Sequence, residues 1–334
     1  MKNLFICTSL ILLLFTSCDS NDSGTYTPAE LNLVTSSNTS GKITYTNLLA
    51  ASPVVKSFTI ASLDAEGVSY DSDTDAITVV SRTNNKLETY SGIKVAVSSG
   101  IDNLALSSSS SVGDFINPRE TAVSGDKVIV TQDQSAANGM LNKLFLYQRT
   151  SSGFTLLKTF TTDFKLWGIH LEGNDLYAVA DLTSDLVLFK NFAANASGTI
   201  TATKRVTIEG LTRTHGITYS SSDDVMVLTD VASAASATDG GLVIIKNFSS
   251  VFASTAASGT IAMSNQIRVY GPNSLLGNPV DVAYDNVTKN IYVAERLNAG
   301  GQVLTYSYPM TSGDATPLNV RPEAGVTSIF ILRK

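Results

Sequence analysis

Side chains able to do varied chemistry are scarce in this chain, and several of them fall close together. There is one tryptophan and there are two histidines. Trp167 and His170 stand three residues apart, and His215 follows. An indole offers a flat face for stacking, an imidazole can hold a metal or move a proton, and guanidinium and carboxylate groups pair with charged ligands. The charged groups that could join them are Glu66, Arg82, Arg119, Asp181, Asp230 and Arg296. Such a set suits the binding of a polar ligand. It matches no catalytic signature: no dinucleotide or phosphate-loop glycine pattern, no HExxH and no paired cysteines occur. A Ser-His-Asp set could be drawn from His215, Asp230 and one of 41 serines, but only because serine is abundant.

What would bring these residues together is a repeat. A small or polar residue opens a short alternating strand, a turn follows, and a second apolar strand runs back. The copies are Gly67-Val68-Ser69-Tyr70 before Ala76 to Val80, Glu120 to Val123 before Val128 to Val130, and Gly168 to Leu171 before Leu176 to Val179. Two more are Gly216 to Tyr219 before Val225 to Leu228, and Asp281 to Tyr284 before Ile291 to Ala294, with a half copy at Gly325 to Ser328. The first positions are 53, 48, 48, 65 and 44 residues apart. A third strand follows each full copy (Leu144 to Tyr147, Leu186 to Phe189), and a more polar fourth strand follows that. Four antiparallel strands about every fifty residues predict a six-bladed β-propeller. A β-sandwich and a seven-bladed ring are the competing arrangements.

The ends complete the count. Leu31 to Val34, Lys42 to Tyr45 and Val54 to Ile60 read as the second, third and fourth strands of a blade whose first strand is Gly325 to Leu332. The last blade is thus expected to be closed by both termini, which removes the open sheet edge that would otherwise template aggregation. On this alignment two rings of side chains gather at one mouth of the central channel. Just before the innermost strands stand Glu66, Arg119, Trp167, His215, Val280 and Ala324. Just after the second strands stand Arg82, Asp133, Asp181, Asp230, Arg296 and Ser36. The competing structural roles are equally concrete: aspartates at strand ends accept turn N–H groups, Trp167 plugs the channel, and His215 is a satisfied core histidine.

The pattern Gly-Val-x-Tyr, turn, Ile-Tyr-Val-Ala-Glu, then a short strand ending in Tyr resembles NHL-type repeats and their six-bladed relatives, among them the SMP-30/gluconolactonase propellers. The likeness covers residues 30–334. It implies the propeller fold and, in the gluconolactonase group, a divalent metal held by Glu, Asn, Asn and Asp before innermost strands, as in a lactone hydrolase. Glu66-Gly67 fits that pattern, but Arg119, His215 and Val280 stand where oxygen donors are needed, and arginine opposes a hard cation. Glu66, Glu120 and Asp281 with His215 could form another metal set, though no spacing demands it. The expectation is therefore a ligand- or protein-binding propeller without a required cofactor, with a lactonase as the alternative.

The opening residues supply an address. Lys2 precedes the apolar stretch Leu4 to Phe15, too short to span a bilayer and suited to an export signal. It ends in Phe15-Thr16-Ser17-Cys18, which resembles a bacterial lipobox, with Cys18 as the lipidated residue. Only Cys7 and Cys18 exist, so after removal of residues 1–17 no internal disulfide could form. Residues 18–30 read as a polar tether and residues 31–334 as the propeller. The expected location is the cell envelope, at the outer membrane or the periplasmic face of the inner one. The partner is expected to be a small molecule, glycan or protein, with the membrane touched only through lipid. A net charge of −6 argues against nucleic acid, and 43% hydrophobic with 16% charged residues argues against disorder.

Overall fold

A computed structural model describes residues 29–334; the expected export signal, Cys18 and most of the tether lie outside the described residues. Six sheets, each built on four consecutive antiparallel strands, form the six blades of a β-propeller. Counted from the first complete blade, the innermost strands are Ala65–Asp71, Pro118–Ser124, Leu166–Glu172, Ile217–Ser220 and Pro279–Asp285. That of the closing blade is Val326–Arg333. Two blades gain a fifth strand of two residues, Gly198–Thr199 and Thr260–Ile261, which pairs in parallel with the outer strand of the preceding blade.

The closing blade is joined as the sequence predicts. Val326–Arg333 pairs antiparallel with Leu31–Ser37, from Leu31 opposite Arg333 to Ser37 opposite Val326. Every residue of Leu31–Ser37 is buried. Beyond the ladder, Glu30 and Lys334 exchange backbone hydrogen bonds of 3.0 and 2.9 Å. Chain ends fray unless tied down, and here each end is a central partner of the other.

β-Branched and aromatic residues alternate along the strands, so each blade presents apolar side chains to both neighbours. The buried groups therefore collect between blades. Tyr45, Tyr70, Ile77 and Tyr90 pack between the closing and first blades, and Met226, Leu228, Val243 and Phe248 between the third and fourth. Each buried side chain of this size contributes about 1.5–3 kcal/mol.

The innermost strands share an irregularity that matters for the site. Register breaks between Ala65 and Val68, Pro118 and Thr121, Leu166 and Ile169, and Pro279 and Asp281. In the closing blade the break falls opposite Ser36 and Ser37. A bulge turns side chains out of the ladder. The residues released are Glu66-Gly67, Arg119-Glu120, Trp167-Gly168, Val280 and Thr327, with Asp281 and Ser328 paired directly after the last two, and His215-Gly216 precedes the fourth strand in the same phase. Glycine is required at two of these places by close approach. A Cβ on Gly168 would lie 2.0 Å from the His215 carbonyl oxygen, and one on Gly67 would lie 2.6 Å from Glu120 Oε1.

Candidate functional site

Backbone pairing gives the rings of the mouth directly. The N–H groups of Arg82, Asp133, Asp181, Val231, Arg296 and Asn38 donate to the carbonyls of Asp64, Asn117, Lys165, Arg213, Asn278 and Gly325. Those contacts align Glu66, Arg119, Trp167, His215, Val280 and Thr327 around one end of the channel. Three sequence assignments therefore move. Val231 replaces Asp230, because Asp230 is the last residue of the second strand of the fourth blade, Val225–Asp230, which follows a longer hairpin turn than its counterpart in the third blade. In the closing blade Thr327 replaces Ala324 and Asn38 replaces Ser36, because the innermost strand begins at Val326.

Asp230 is a turn group rather than part of the ring. Its carboxylate accepts the N–H groups of Thr212, Arg213 and Ala232 at 3.1, 2.9 and 3.1 Å and the Tyr270 hydroxyl at 2.9 Å. The remaining charged residues other than Arg296 form one chain of alternating sign. Arg82 Nη1 lies 3.0 Å from Glu66 Oε1, and Arg119 Nη1 reaches the same oxygen at 3.4 Å. Arg119 also meets Asp133 at 3.1 Å, and Lys165 stands 3.7 Å from Asp133 and 2.9 Å from Asp181. Arg213 then closes a fork on Asp181 at 2.6 and 3.1 Å. Sequence reading passed over Lys165 and Arg213, although each stands two residues before a ring member, in phase with it.

At the centre of this chain three flat groups stack. Trp167 lies against His215 with ring centres 3.7 Å apart and planes 5° from parallel. The Arg119 guanidinium sits 4.2 Å from the Trp167 ring centre. Arg119, Trp167 and His215 hold the same position in successive blades, so the indole is the middle layer; cation and imidazole both favour its electron-rich face. Trp167 and Arg119 are half-buried and His215 is 2% exposed. Burial pulls the imidazole down to about 4, against the pull of Asp181. Neutral His215 donates its Nε2–H to Asp181 at 3.0 Å, and Nδ1 is left without a partner. For Asp181, burial opposes ionisation, but the donors His215, Arg213 and Lys165 prevail and hold it far below the usual carboxylate range. In Glu66 burial prevails over Arg119 and Arg82, and its carboxyl is raised.

The opposite half of the mouth is nearly uncharged. Val231, Val280, Thr327 and Asn38 lie there with Arg296, which forms no ion pair among the described residues. With its amide turned to satisfy both neighbours, Asn38 places its oxygen 3.1 Å from Arg296 Nη2.

One residue further along the innermost strands, a second layer closes the channel. Its six positions are Gly67, Glu120, Gly168, Gly216, Asp281 and Ser328. The two acids come from blades facing each other across the axis, and the glycines make room for their side chains. Ser328 bridges them: its hydroxyl donates to Asp281 Oδ2 at 2.8 Å and lies 3.3 Å from Glu120 Oε1.

The donor set was tested for the divalent metal that the gluconolactonase resemblance implies. Glu66, the one matching residue, has two guanidinium groups on its carboxylate, and Arg119 and His215 fill the neighbouring positions. Among the described residues no three His, Cys, Asp or Glu side chains come together in a metal-binding group. These residues do not fit that metal.

The sequence matches no family profile and no curated protein. Solved structures share its fold. A chain in the crystal structure of the nidogen/laminin complex superposes with a TM-score of 0.61 at 12% identity, over 91% of this chain and 98% of that one. A protein of Bacteroides uniformis provisionally assigned as a 6-phosphogluconolactonase gives 0.56 at 13% identity, over 88% and 83%. A Bacteroides caccae protein of unknown function gives 0.56 at 9%, over 92% and 100%. At such identities the likeness is one of fold.

Proposed function

We propose that this chain is a binding propeller of the bacterial cell envelope, anchored by lipid on Cys18, whose charged mouth takes a polar or acidic group of a small molecule, glycan or protein. The observation that carries the reading is the Arg119–Trp167–His215 stack. It presents the edge of a half-buried indole beside the Arg119 guanidinium at the open end of the channel, held in place before any ligand arrives. Arg296 forms no ion pair among the described residues, although its charge is felt at Glu66, and it is the cation that would meet an anionic group. Mouth-side loops add exposed apolar groups, Leu63, Met140 and Leu182, at 66%, 55% and 63% exposure. Aromatic, arginine and apolar groups of this kind dominate recognition surfaces.

A lactonase is the second reading, favoured by the Bacteroides neighbours assigned to that activity. It requires an activated water, and the ionisable groups at this mouth are already committed to one another.

Trp167 is the only tryptophan, so its emission reports the site directly. Titration with acidic oligosaccharides and acidic peptides should shift that emission for at least one member, and Arg296→Ala should weaken the response. Lactone hydrolysis dependent on a divalent ion, with no shift from any member, would establish the second reading instead. The anchor is tested separately: membrane-fraction protein should carry acyl mass on Cys18, and Cys18→Ser should release a folded chain. An unmodified N-terminus in that fraction would dispose of the anchor.

A further inference from the structure

At four of the six blades the outer edge is covered by chain from the next blade. Gly198–Thr199 and Thr260–Ile261 pair in parallel with the outer strands of the second and third blades. Single parallel bridges join Val269 of the fourth blade to Gly313, and Thr59 of the closing blade to Asn103. In each case the covering residues belong to the connection between the third and fourth strands of the following blade. The first blade is covered differently. The hairpin of its neighbour presses Gly153 onto the outer strand, where a Cβ would lie 2.7 Å from the Ser109 carbonyl oxygen.

The fifth blade has no such cover. Its outer strand is Asn319–Pro322, and the connection in the position to reach it is residues 48–55 of the closing blade. That connection is shorter than the four that succeed, residues 92–107, 190–203, 247–265 and 308–318. It turns back at once: the Leu48 N–H donates to the Leu31 carbonyl at 2.8 Å and the Ala50 N–H to the Asn47 carbonyl at 3.3 Å. Among the described residues no strand, bridge or backbone hydrogen bond meets the outer side of Asn319–Pro322. Such an edge is a template for a further strand.

Where the cover is missing, a groove of about 250 Å3 separates the fifth and closing blades. Arg321 and Pro322 line one side, Lys42, Thr44 and Ser57 the other, and Val55, 52% exposed, lies between them. Arg321 is paired with Glu323 at 2.7 Å, which leaves Lys42 as the surplus charge. Lys42 forms no ion pair among the described residues; Asp102 feels its charge but is paired with Lys56.

We propose that this edge and groove dock an extended segment of a partner protein that carries an acidic side chain. The segment adds to Asn319–Pro322 as a parallel strand, and its carboxylate enters the groove beside Lys42 and Arg321. The molecule already shows the pairing: Thr59 donates its N–H to the Asp102 carbonyl at 2.8 Å and accepts the Leu104 N–H at 3.0 Å. In strand addition of this kind the main chain supplies affinity and the side-chain pocket supplies selectivity. A second copy of this chain suits the edge poorly. Pro322 offers no N–H, and joining two such edges would add a second surplus Lys42.

The probe is a displayed library of linear heptapeptides with glutamate fixed at the fourth position, selected against the folded chain; a library with glutamine there is the control. The glutamate library should yield the stronger binders, and these should protect the amides of residues 319–321 from hydrogen exchange without shifting Trp167 emission. Lys42 is exposed, so its replacement spares the core. Lys42→Glu should weaken binding at least tenfold, and Lys42→Gln should weaken it less. Equal yield from the two libraries, protection elsewhere than 319–321, or binding unchanged in both Lys42 variants would overturn the proposal. Binders that shift Trp167 emission and are lost in Arg296→Ala would also overturn it, while leaving the mouth as a binding site. Dimerisation of the chain that protects the same amides would assign the edge to a second copy instead.

Discussion

The two layers that close the channel are built from adjacent residues of the same strands, yet they handle charge in opposite ways. At the mouth, Arg82, Glu66, Arg119, Asp133, Lys165, Asp181 and Arg213 alternate in sign, and each charge has a neighbour to neutralise it. One residue on, Glu120 and Asp281 face each other with no cation. The difference teaches that a bulge can deliver consecutive side chains of one strand to separate environments. It also sets opposite responses to pH. His215 is held below its unfolded value, so the unfolded chain binds more protons between about pH 6.5 and 4. The mouth therefore loses stability as pH falls through that window. Burial holds Asp281 above its unfolded value, so the folded chain binds more protons between about pH 4 and 7. The acid layer loses stability as pH rises.

The largest effect expected is loss of both layers together. Residues 325–334 supply Thr327 to the mouth, Ser328 to the acid pair and the strand that seals the ring. Their deletion removes several buried residues at about 1.5–3 kcal/mol each, against a typical domain stability of about 5–15 kcal/mol. Circular dichroism should show no cooperative melt; a soluble, cooperative product would refute the closure.

Next is a change confined to the mouth. Trp167→Ala removes the middle of the stack and should cost about 3 kcal/mol, the low end for large aromatic truncations because Trp167 is half-buried. Denaturant melts measure this cost. The imidazole of His215, uncovered in that variant, should move back toward its ordinary value, which proton NMR can follow.

Smaller, and directed at the comparison itself, are two pH series. Glu120→Gln should flatten the decline in melting temperature from pH 5 to 7, and His215→Gln should flatten the rise from pH 4 to 6. If either substitution alters the other's limb, the two layers titrate as one unit.

The smallest effect concerns Leu182, which follows the hub Asp181 and donates its N–H to that carboxylate at 2.7 Å. It is exposed and held at φ 63°. Leu182→Gly relieves the left-handed strain and should stabilise the chain by about 0.5 kcal/mol. A melting-temperature gain without any change at Trp167 would confine that strain to the loop.

The ring was legible because each innermost strand repeats a small or polar residue, then an alternating stretch, a pattern that blade packing imposes six times. Register at the mouth was less legible. Asp230 looks equivalent to Asp181, yet the backbone bond from Val231 to Arg213 shows that Asp230 is the last residue of its strand whereas Asp181 follows one of equal length. At the closing blade the repeat begins three residues early in sequence, at Gly325, because the turn before Val326 copies the small residue of the pattern. A signal for the acid layer was present and went unused: the first repeat position is glycine in three blades and an acid in two facing ones. Side-chain pairing such as Arg119 with both Glu66 and Asp133 depends on contacts between blades, which no single repeat encodes.

The paired termini also give the molecule a polarity. Val326–Arg333 starts beside the mouth and ends at the far side of the disc, and Glu30 meets Lys334 there. The described chain therefore begins and ends on that side. Trp167 and the two ends of the described chain thus lie on opposite faces of the disc, so a group attached at either end would leave the charged mouth uncovered.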